Sequence, residues 1–331
     1  MNEAIHEAIT SRLHSAQKIF IFSHIRPDGD AIGSLIAMGL ALQAAGKDVQ
    51  MILKDGVPSG FRHLRGSEQI KSAPTGEADT VIIVDSSDLS RIGNGFDVTQ
   101  PDIQVDHHIT NLNFAKINLI VPEAVATSQI LAQSLPLWGL TISLPIAEAL
   151  VTGIVTDSIG FRTSNMTPET LRVTADLMDK GVNLPELYDR ALSQRSFEAA
   201  RYWGKGLNSL QRDGRLIWAT LSQADRRAVG YNGNDDADLT NILSSVIQGD
   251  IAVLFIEQND HYVKVSWRSR PGWDVSGIAL QFGGGGHPAA AGADIYGTIE
   301  EVQKKVLDVT RKTLTEKDQP VLTAANDEKG K

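Results

Sequence analysis

Three apolar runs that stop abruptly at acids or histidines constrain this chain most: KIFIFSH (18–24), TVIIVDSSD (80–88) and IQVDHH (103–108). Each reads as a buried strand with a polar end. DVQMILKD (48–55) adds a further strand, and the apolar stretch AIGSLIAMGLALQAAG before it reads as a helix stopped by Gly46. Strand and helix in alternation specify an α/β fold, a parallel five-stranded-type sheet with helices on both faces. Ligands of open α/β sheets bind beyond the carboxyl ends of the strands. His24, Asp28, Asp30, Asp85, Asp106, His107 and His108 are therefore expected to converge, although they are far apart in sequence. Residues 2–16 read as an amphipathic helix. IAEALVTGIVTDSIGFRTSN (146–165) reads as a helix running into a loop, with Asp157 near the helix end.

The pattern changes after about residue 167. Residues 167–180 and 184–212 look helical, and GRLIWATLS (214–222), IAVLFIEQ (251–258) and YVKVSWRSR (262–270) read as strands of a second, smaller α/β domain. The chain thus divides into a domain over 1–183, a helical linker over 184–212, a second domain over 213–315 and a disordered polar tail over 316–331. Its 331 residues suit two domains. The balance of 31 Lys and Arg against 40 Asp and Glu argues against a wide basic surface tracking long duplex DNA. With no Cys, thiolate metal sites, disulfides and Cys nucleophiles are excluded. No apolar signal core or membrane-length run is visible, which points to the cytoplasm and away from a membrane partner.

Each polar strand end has two readings. His24-Ile-Arg-Pro-Asp28-Gly-Asp30 is either a metal-binding turn or an Asp-rich surface turn. Asp85 taken alone reads better as a capping or loop residue, since Ser86, Ser87 and Asp88 are all capping types. Asp106-His107-His108 stands where a strand ends and the chain turns, so all three side chains can reach one cavity. Asp157 is a helix-end acid with small neighbours at Thr152, Gly153, Ser158 and Gly160. Counting donors favours metal. Two ions need about eight to twelve donors, water and phosphate included. His24, Asp28, Asp30, Asp85, His107 and Asp157 supply six side chains, and one carboxylate can bridge. Two ions so placed can clamp the attacking and leaving oxygens at phosphorus and activate water, with no side-chain nucleophile.

In order along the chain, SHIRPDGDAIGS (23–34), VDSSD (84–88), DHH (106–108) and TDSIGFRTSN (156–165) resemble the four motifs of the DHH phosphoesterase superfamily. GGGGHPAAAG (283–292) resembles the glycine-rich motif of the DHH-associated domain, where backbone N–H groups approach a phosphate. The resemblance implies that His24, Asp28 and Asp85 hold one Mn2+ and that Asp30, Asp85, His107 and Asp157 hold the other, with Mg2+ or Co2+ as alternatives. It makes Asp85, Asp106 and His108 the catalytic set, with Asp106 orienting the site and His108 facing the scissile phosphate. Arg268, His287, Gly284, Gly285 and Gly286 are implied as substrate contacts, together with Arg162 and Asn165.

The compact chain is most similar to the nanoRNase branch, the oligoribonucleases and phosphoadenosine-phosphate phosphatases. Ile109 stands where membrane-bound cyclic-dinucleotide phosphodiesterases carry Arg. The expected substrates are short RNA or DNA oligonucleotides or small nucleotide phosphates such as 3′-phosphoadenosine 5′-phosphate. Cyclic- or linear-dinucleotide hydrolysis, a RecJ-like exonuclease and a non-catalytic nucleotide-binding module are the alternatives. The resemblance alone suggests a homodimer.

Overall fold

The apolar runs become strands and the intervening segments become helices. In the computed structural model β1 (Lys18–Phe22), β2 (Asp48–Ile52), β3 (Thr80–Val84), β4 (Ile103–Asp106) and β5 (Ile117–Ile120) form one sheet in the order β2-β1-β3-β4-β5. Every pairing in it is parallel. The structure describes residues 3–163 and 165–318, which divide into two units between Gln194 and Arg195.

In the first unit, Ile19, Ile21, Ile82, Val84, Ile103 and Val105 pack against the helices α1 (Glu3–Ser15), α2 (Gly29–Ala44), α3 (Thr127–Ser134) and α4 (Leu144–Asp157). The alternate residues Phe20, Phe22 and Ile83 pack on the other face, against the 3-10 helix Leu89–Ile92 and the neighbouring Phe96 and Phe114. This two-sided burial explains why the strands read as continuous apolar runs. Two further helices, α5 (Pro168–Met178) and α6 (Leu184–Tyr188), complete the unit, and Thr167 caps α5 by accepting from Thr170 N–H. The order reverses between β1 and β3, so the crevice for a ligand opens at the ends of these two strands.

Close approach of α2 and α4 depends on missing side chains. A Cβ at Gly33 would lie 2.4 Å from the Ala149 carbonyl oxygen, and one at Gly153 would lie 2.6 Å from Asp30 Oδ1. The N-terminus of α2, carrying Asp30, is thereby brought beside the C-terminus of α4, carrying Asp157.

The helical stretch expected over 184–212 resolves into α6, a π turn at Asp189–Ser193, α7 (Phe197–Asn208) and the start of β6 (Gln211–Asp213). The second unit has a mixed sheet in the order β10-β11-β9-β8-β7-β6. Its other strands are β7 (Leu216–Leu221), β8 (Ile251–Asn259), β9 (Tyr262–Ser269), β10 (Gly285–His287) and β11 (Ala290–Tyr296). One face packs on α10 (Ser276–Leu280) and α11 (Ile299–Asp318), with Trp267 at its centre. The other packs on α7, α8 (Gln223–Val229) and α9 (Leu239–Leu243). Helix α11 continues to Asp318, past residue 316 where the tail was expected to begin. The rest of that tail, 319–331, lies outside the described residues. Among the described residues no helix is long and apolar enough to cross a membrane.

Candidate metal centre

The polar strand ends meet. His24 follows β1, Asp85 follows β3, His107 follows β4, and Asp30 and Asp157 arrive on the apposed helix ends. Asp85 is fully buried and adopts a left-handed backbone (φ 54°), which turns its side chain out of the strand direction. Its Oδ2 lies 3.5 Å from His24 Nε2 and its Oδ1 lies 3.8 Å from His107 Nε2. His24 Nε2 is also 3.8 Å from Asp28 Oδ2, and His107 Nε2 is 3.5 Å from Asp157 Oδ2. Three groups have their ligand atoms within 4.8 Å of one another, His24–Asp28–Asp85, Asp30–His107–Asp157 and Asp85–His107–His108, and the first two contain all six expected ligands.

Surrounding hydrogen bonds aim these atoms. His24 Nδ1 is 2.9 Å from the Ile25 carbonyl and His107 Nδ1 is 3.3 Å from the Ala124 carbonyl. A carbonyl only accepts, so each Nδ1 carries a proton; Nε2 then donates to the carboxylates when the ring is protonated and offers a lone pair to a cation when it is neutral. Asp28 caps α2 through Oδ1, accepting from Asp30 and Ala31 N–H, and keeps Oδ2 toward His24. The capping and metal-binding readings of this turn are therefore compatible. At Asp85 the cap is one turn away: Asp88 caps the 3-10 helix, and Asp85 points inward.

Asp30 accepts from Thr127 N–H (2.7 Å), Ser128 N–H (2.9 Å) and Ser34 Oγ (3.3 Å). It thus serves as the side-chain cap that α3 lacks locally. Thr127 Oγ1 donates to Asp85 Oδ1 at 3.0 Å. Sequence reasoning missed Thr127 and Ser128, because a cap supplied from another part of the chain leaves no local pattern.

The carboxylates crowd one another. Burial, followed by the charge of Asp85, pushes Asp30 up to about 7. Burial and the charges of Asp30, Asp28 and Asp85 raise Asp157 well above the carboxylate range. Burial opposes ionisation of Asp85 too, but the His24 hydrogen bond and the charges of His24, His108 and His107 outweigh it and hold its carboxyl low. Burial disfavours protonated His24 and His107, yet the adjoining carboxylates raise both pKa values. Clustered hard oxygen donors with imidazole lone pairs are the donor set of a divalent-metal site.

Asp106 is fully buried, and its Oδ1 lies 2.7 Å from His108 Nδ1. Asp85 Oδ1 is also near His108 Nδ1, at 3.8 Å, but that nitrogen is committed to Asp106 and offers no lone pair. Arg162 is exposed on the turn after α4 and donates from Nε to the Ile159 carbonyl; Asn165 is exposed beyond it.

In the second unit Arg268 and His287 share a row across the sheet, because His287 pairs with Ala290 and Ala290 with Arg268. Side chains in one row face the same side. Arg268 Nε donates to Asn241 Oδ1 at 3.2 Å. The glycines differ. A Cβ at Gly284 would lie 2.1 Å from the Gly292 carbonyl, and Gly286 has φ 142° with its Cβ position 2.4 Å from the Ala290 carbonyl. A Cβ at Gly285 would meet nothing within 4 Å, so the strand is open on that side.

The description "DHH family, N-terminal domain" fits residues 18–154, and "DHHA1 domain" fits residues 222–316. A bifunctional oligoribonuclease and PAP phosphatase NrnA of Thermus thermophilus is 35% identical over 304 residues, spanning 90% of each chain. This chain belongs to the DHH family. It is a metal-dependent phosphoesterase. The NrnA protein of Bacillus subtilis is 23% identical over 84% of this chain and 89% of its own length. The crystal structure of an exopolyphosphatase-related protein from Bacteroides fragilis has a TM-score of 0.87 at 26% identity, with 95% and 96% of the two chains covered. RecJ of T. thermophilus, solved with Mn2+, shares the fold at a TM-score of 0.51 and 14% identity, covering 95% of this chain and 55% of RecJ.

Proposed function

We propose that this enzyme hydrolyses the phosphodiester bonds of short RNA or DNA oligonucleotides and the 3′-phosphate of 3′-phosphoadenosine 5′-phosphate. The carrying observation is the pair of ligand groups joined through Asp85, whose two oxygens face His24 and His107 separately. That arrangement suits two Mn2+ ions, one held by His24, Asp28 and Asp85 and the other by Asp30, Asp85, His107 and Asp157. Mg2+ would substitute less well, since imidazole favours the borderline ions, whereas Co2+ suits the same donors. When bound, the ions supply Lewis acidity at phosphate oxygen and acidify water.

The protein's own residues orient and protonate. Asp106 holds the His108 ring through Nδ1, which presents the opposite nitrogen, Nε2, as donor to the leaving oxygen. Arg268, His287 and the N–H groups of Gly285 and Gly286 bind substrate phosphate in the second unit; the Gly284 N–H donates instead to the Ala279 carbonyl at 2.9 Å, which takes it out of the expected set. Arg162 and Asn165 bind substrate beside α4. The names of the T. thermophilus and B. subtilis relatives, which join oligoribonuclease with PAP phosphatase, support this choice of substrate.

The test is a panel. Metal-stripped protein is reloaded with Mn2+ and given di- and trinucleotides, a long single strand, 3′-phosphoadenosine 5′-phosphate and a cyclic dinucleotide. Mononucleotides from the short linear substrates, and phosphate from the bisphosphate, are expected. Turnover that rises with strand length, or of the cyclic compound alone, would refute the proposal.

A further inference from the structure

Beside the metal groups lies a polar side chain that belongs to none of the four family motifs. Asn111 follows His108 in the loop after β4, and its backbone N–H donates to the His108 carbonyl. Its Oδ1 accepts from Asn113 N–H at 2.7 Å. A carbonyl oxygen committed to that N–H fixes the amide's orientation, so the other end is the NH2 group. Nδ2 stands 2.5 Å from Asp106 Oδ2 and 3.4 Å from the Ser86 carbonyl. Asp106 is fully buried, and its two oxygens are thus divided, Oδ1 to His108 and Oδ2 to Asn111.

We propose that Asn111 is a positioning residue for leaving-group protonation, acting through Asp106 on His108; the proposal rests on the phosphodiesterase reading. The carboxylate of Asp106 turns about its Cβ–Cγ bond and would swing if only one oxygen were held. The Asn111 NH2 fixes that rotation, so Oδ1 stays on His108 Nδ1 and the imidazole keeps one orientation. In hydrolysis a water oxygen forms the new bond to phosphorus and its proton passes to solvent. The bond from phosphorus to the ribose oxygen breaks, that oxygen keeps the electron pair, and it takes the proton from His108 Nε2. His108 is then reprotonated from solvent. A ribose alkoxide needs this proton to depart, whereas p-nitrophenolate does not.

The experiment compares two esters on the full-length, Mn2+-loaded chain: a dinucleotide and the p-nitrophenyl ester of thymidine 5′-phosphate. For Asn111→Ala, kcat on the dinucleotide should fall roughly 30-fold, within the range general acid catalysis supplies. On the p-nitrophenyl ester kcat should fall less than about 3-fold, with KM for both esters and calorimetric Mn2+ affinity within about 3-fold of wild type, because Asn111 is not itself a ligand. His108→Ala should show the same selectivity, only larger. Asn111→Ser, which keeps a donor in the loop, provides the same comparison if the alanine variant does not fold, and should be intermediate. Equal losses on both esters, a change confined to KM, or a matching loss of Mn2+ affinity would overturn the assignment of Asn111 while leaving the phosphodiesterase reading intact. Wild-type protein that cleaves neither ester would overturn both.

Discussion

Gly33→Ala adds a single methyl group between two helices, and the structure sets its cost. The new carbon would lie 2.4 Å from the Ala149 carbonyl oxygen and 3.1 Å from Gly153 N, both backbone atoms that no rotamer change can move. Since real Cβ contacts stay above 3.0 Å, α2 and α4 must separate by at least about 0.6 Å. Overpacking of this kind costs about 1–3 kcal/mol, and a backbone clash belongs at the upper end. Alanine gains up to about 1 kcal/mol over glycine in helix propensity, which leaves a net loss of about 2 kcal/mol. For a domain of this size that is a fall in Tm of roughly 4–8 °C. Asp30 sits one turn from Gly33 and faces Asp157, so separation of the helices also spreads the ligands, and Mn2+ affinity should drop about 10-fold or more. Differential scanning calorimetry and titration calorimetry measure the two effects. Gly204→Ala, on α7 with nothing near the new carbon, is the control and should stabilise by up to about 1 kcal/mol. A Gly33→Ala protein that melts at or above the wild-type temperature would refute the packing argument.

Removing the hydroxyl in Thr127→Val deprives Asp85 of its 3.0 Å donor, and Mn2+ affinity by titration calorimetry should weaken about 10-fold with the fold intact. The glycine-rich hairpin should separate by position: Gly286→Ala lowers Tm, while Gly285→Ala leaves Tm unchanged and raises KM, and the reverse pattern would contradict the assignment of Gly285 to the substrate. His6 gives a pH test. Trp138 Nε1 donates to His6 Nδ1 at 3.1 Å, and burial lowers the ring's pKa, so folding favours the neutral ring. Below its ordinary pKa of 6.5 the unfolded chain takes up a proton that the folded chain resists. The stability His6 contributes is full above 6.5 and declines as pH falls; melting curves of wild type and His6→Gln should therefore converge toward low pH, and parallel curves would exclude the effect.

The sheet was legible because burial on both faces makes its strands unbroken apolar runs, and the ligands were legible because acids and histidines interrupt those runs at the crevice end. Asp85 is the instructive residue. Alone it reads as a cap, and only the other strand ends argue otherwise. The features that escape a sequence reading are held by partners remote in sequence or carry no periodic pattern. Helix α3 has no local cap, since Asp30 provides it from 97 residues away. Asn111 is an ordinary loop residue until Asp106 is placed beside it. β10 and β11 are built from small residues, so no alternation of apolar and polar side chains marks them.

The row His287–Ala290–Arg268 works as a ruler. Two strand spacings separate the flanking backbones, roughly 9.5 Å, and the residue between them carries only a methyl group. The outer two residues therefore start from backbone positions fixed by hydrogen-bonded strands, and Arg268 is held further by its bonds to the Trp267 carbonyl and Asn241. On the proposed substrate role of Arg268 and His287, the spacing of their backbones is a fixed gauge for the phosphate, and a bulkier residue at 290 would stand between them.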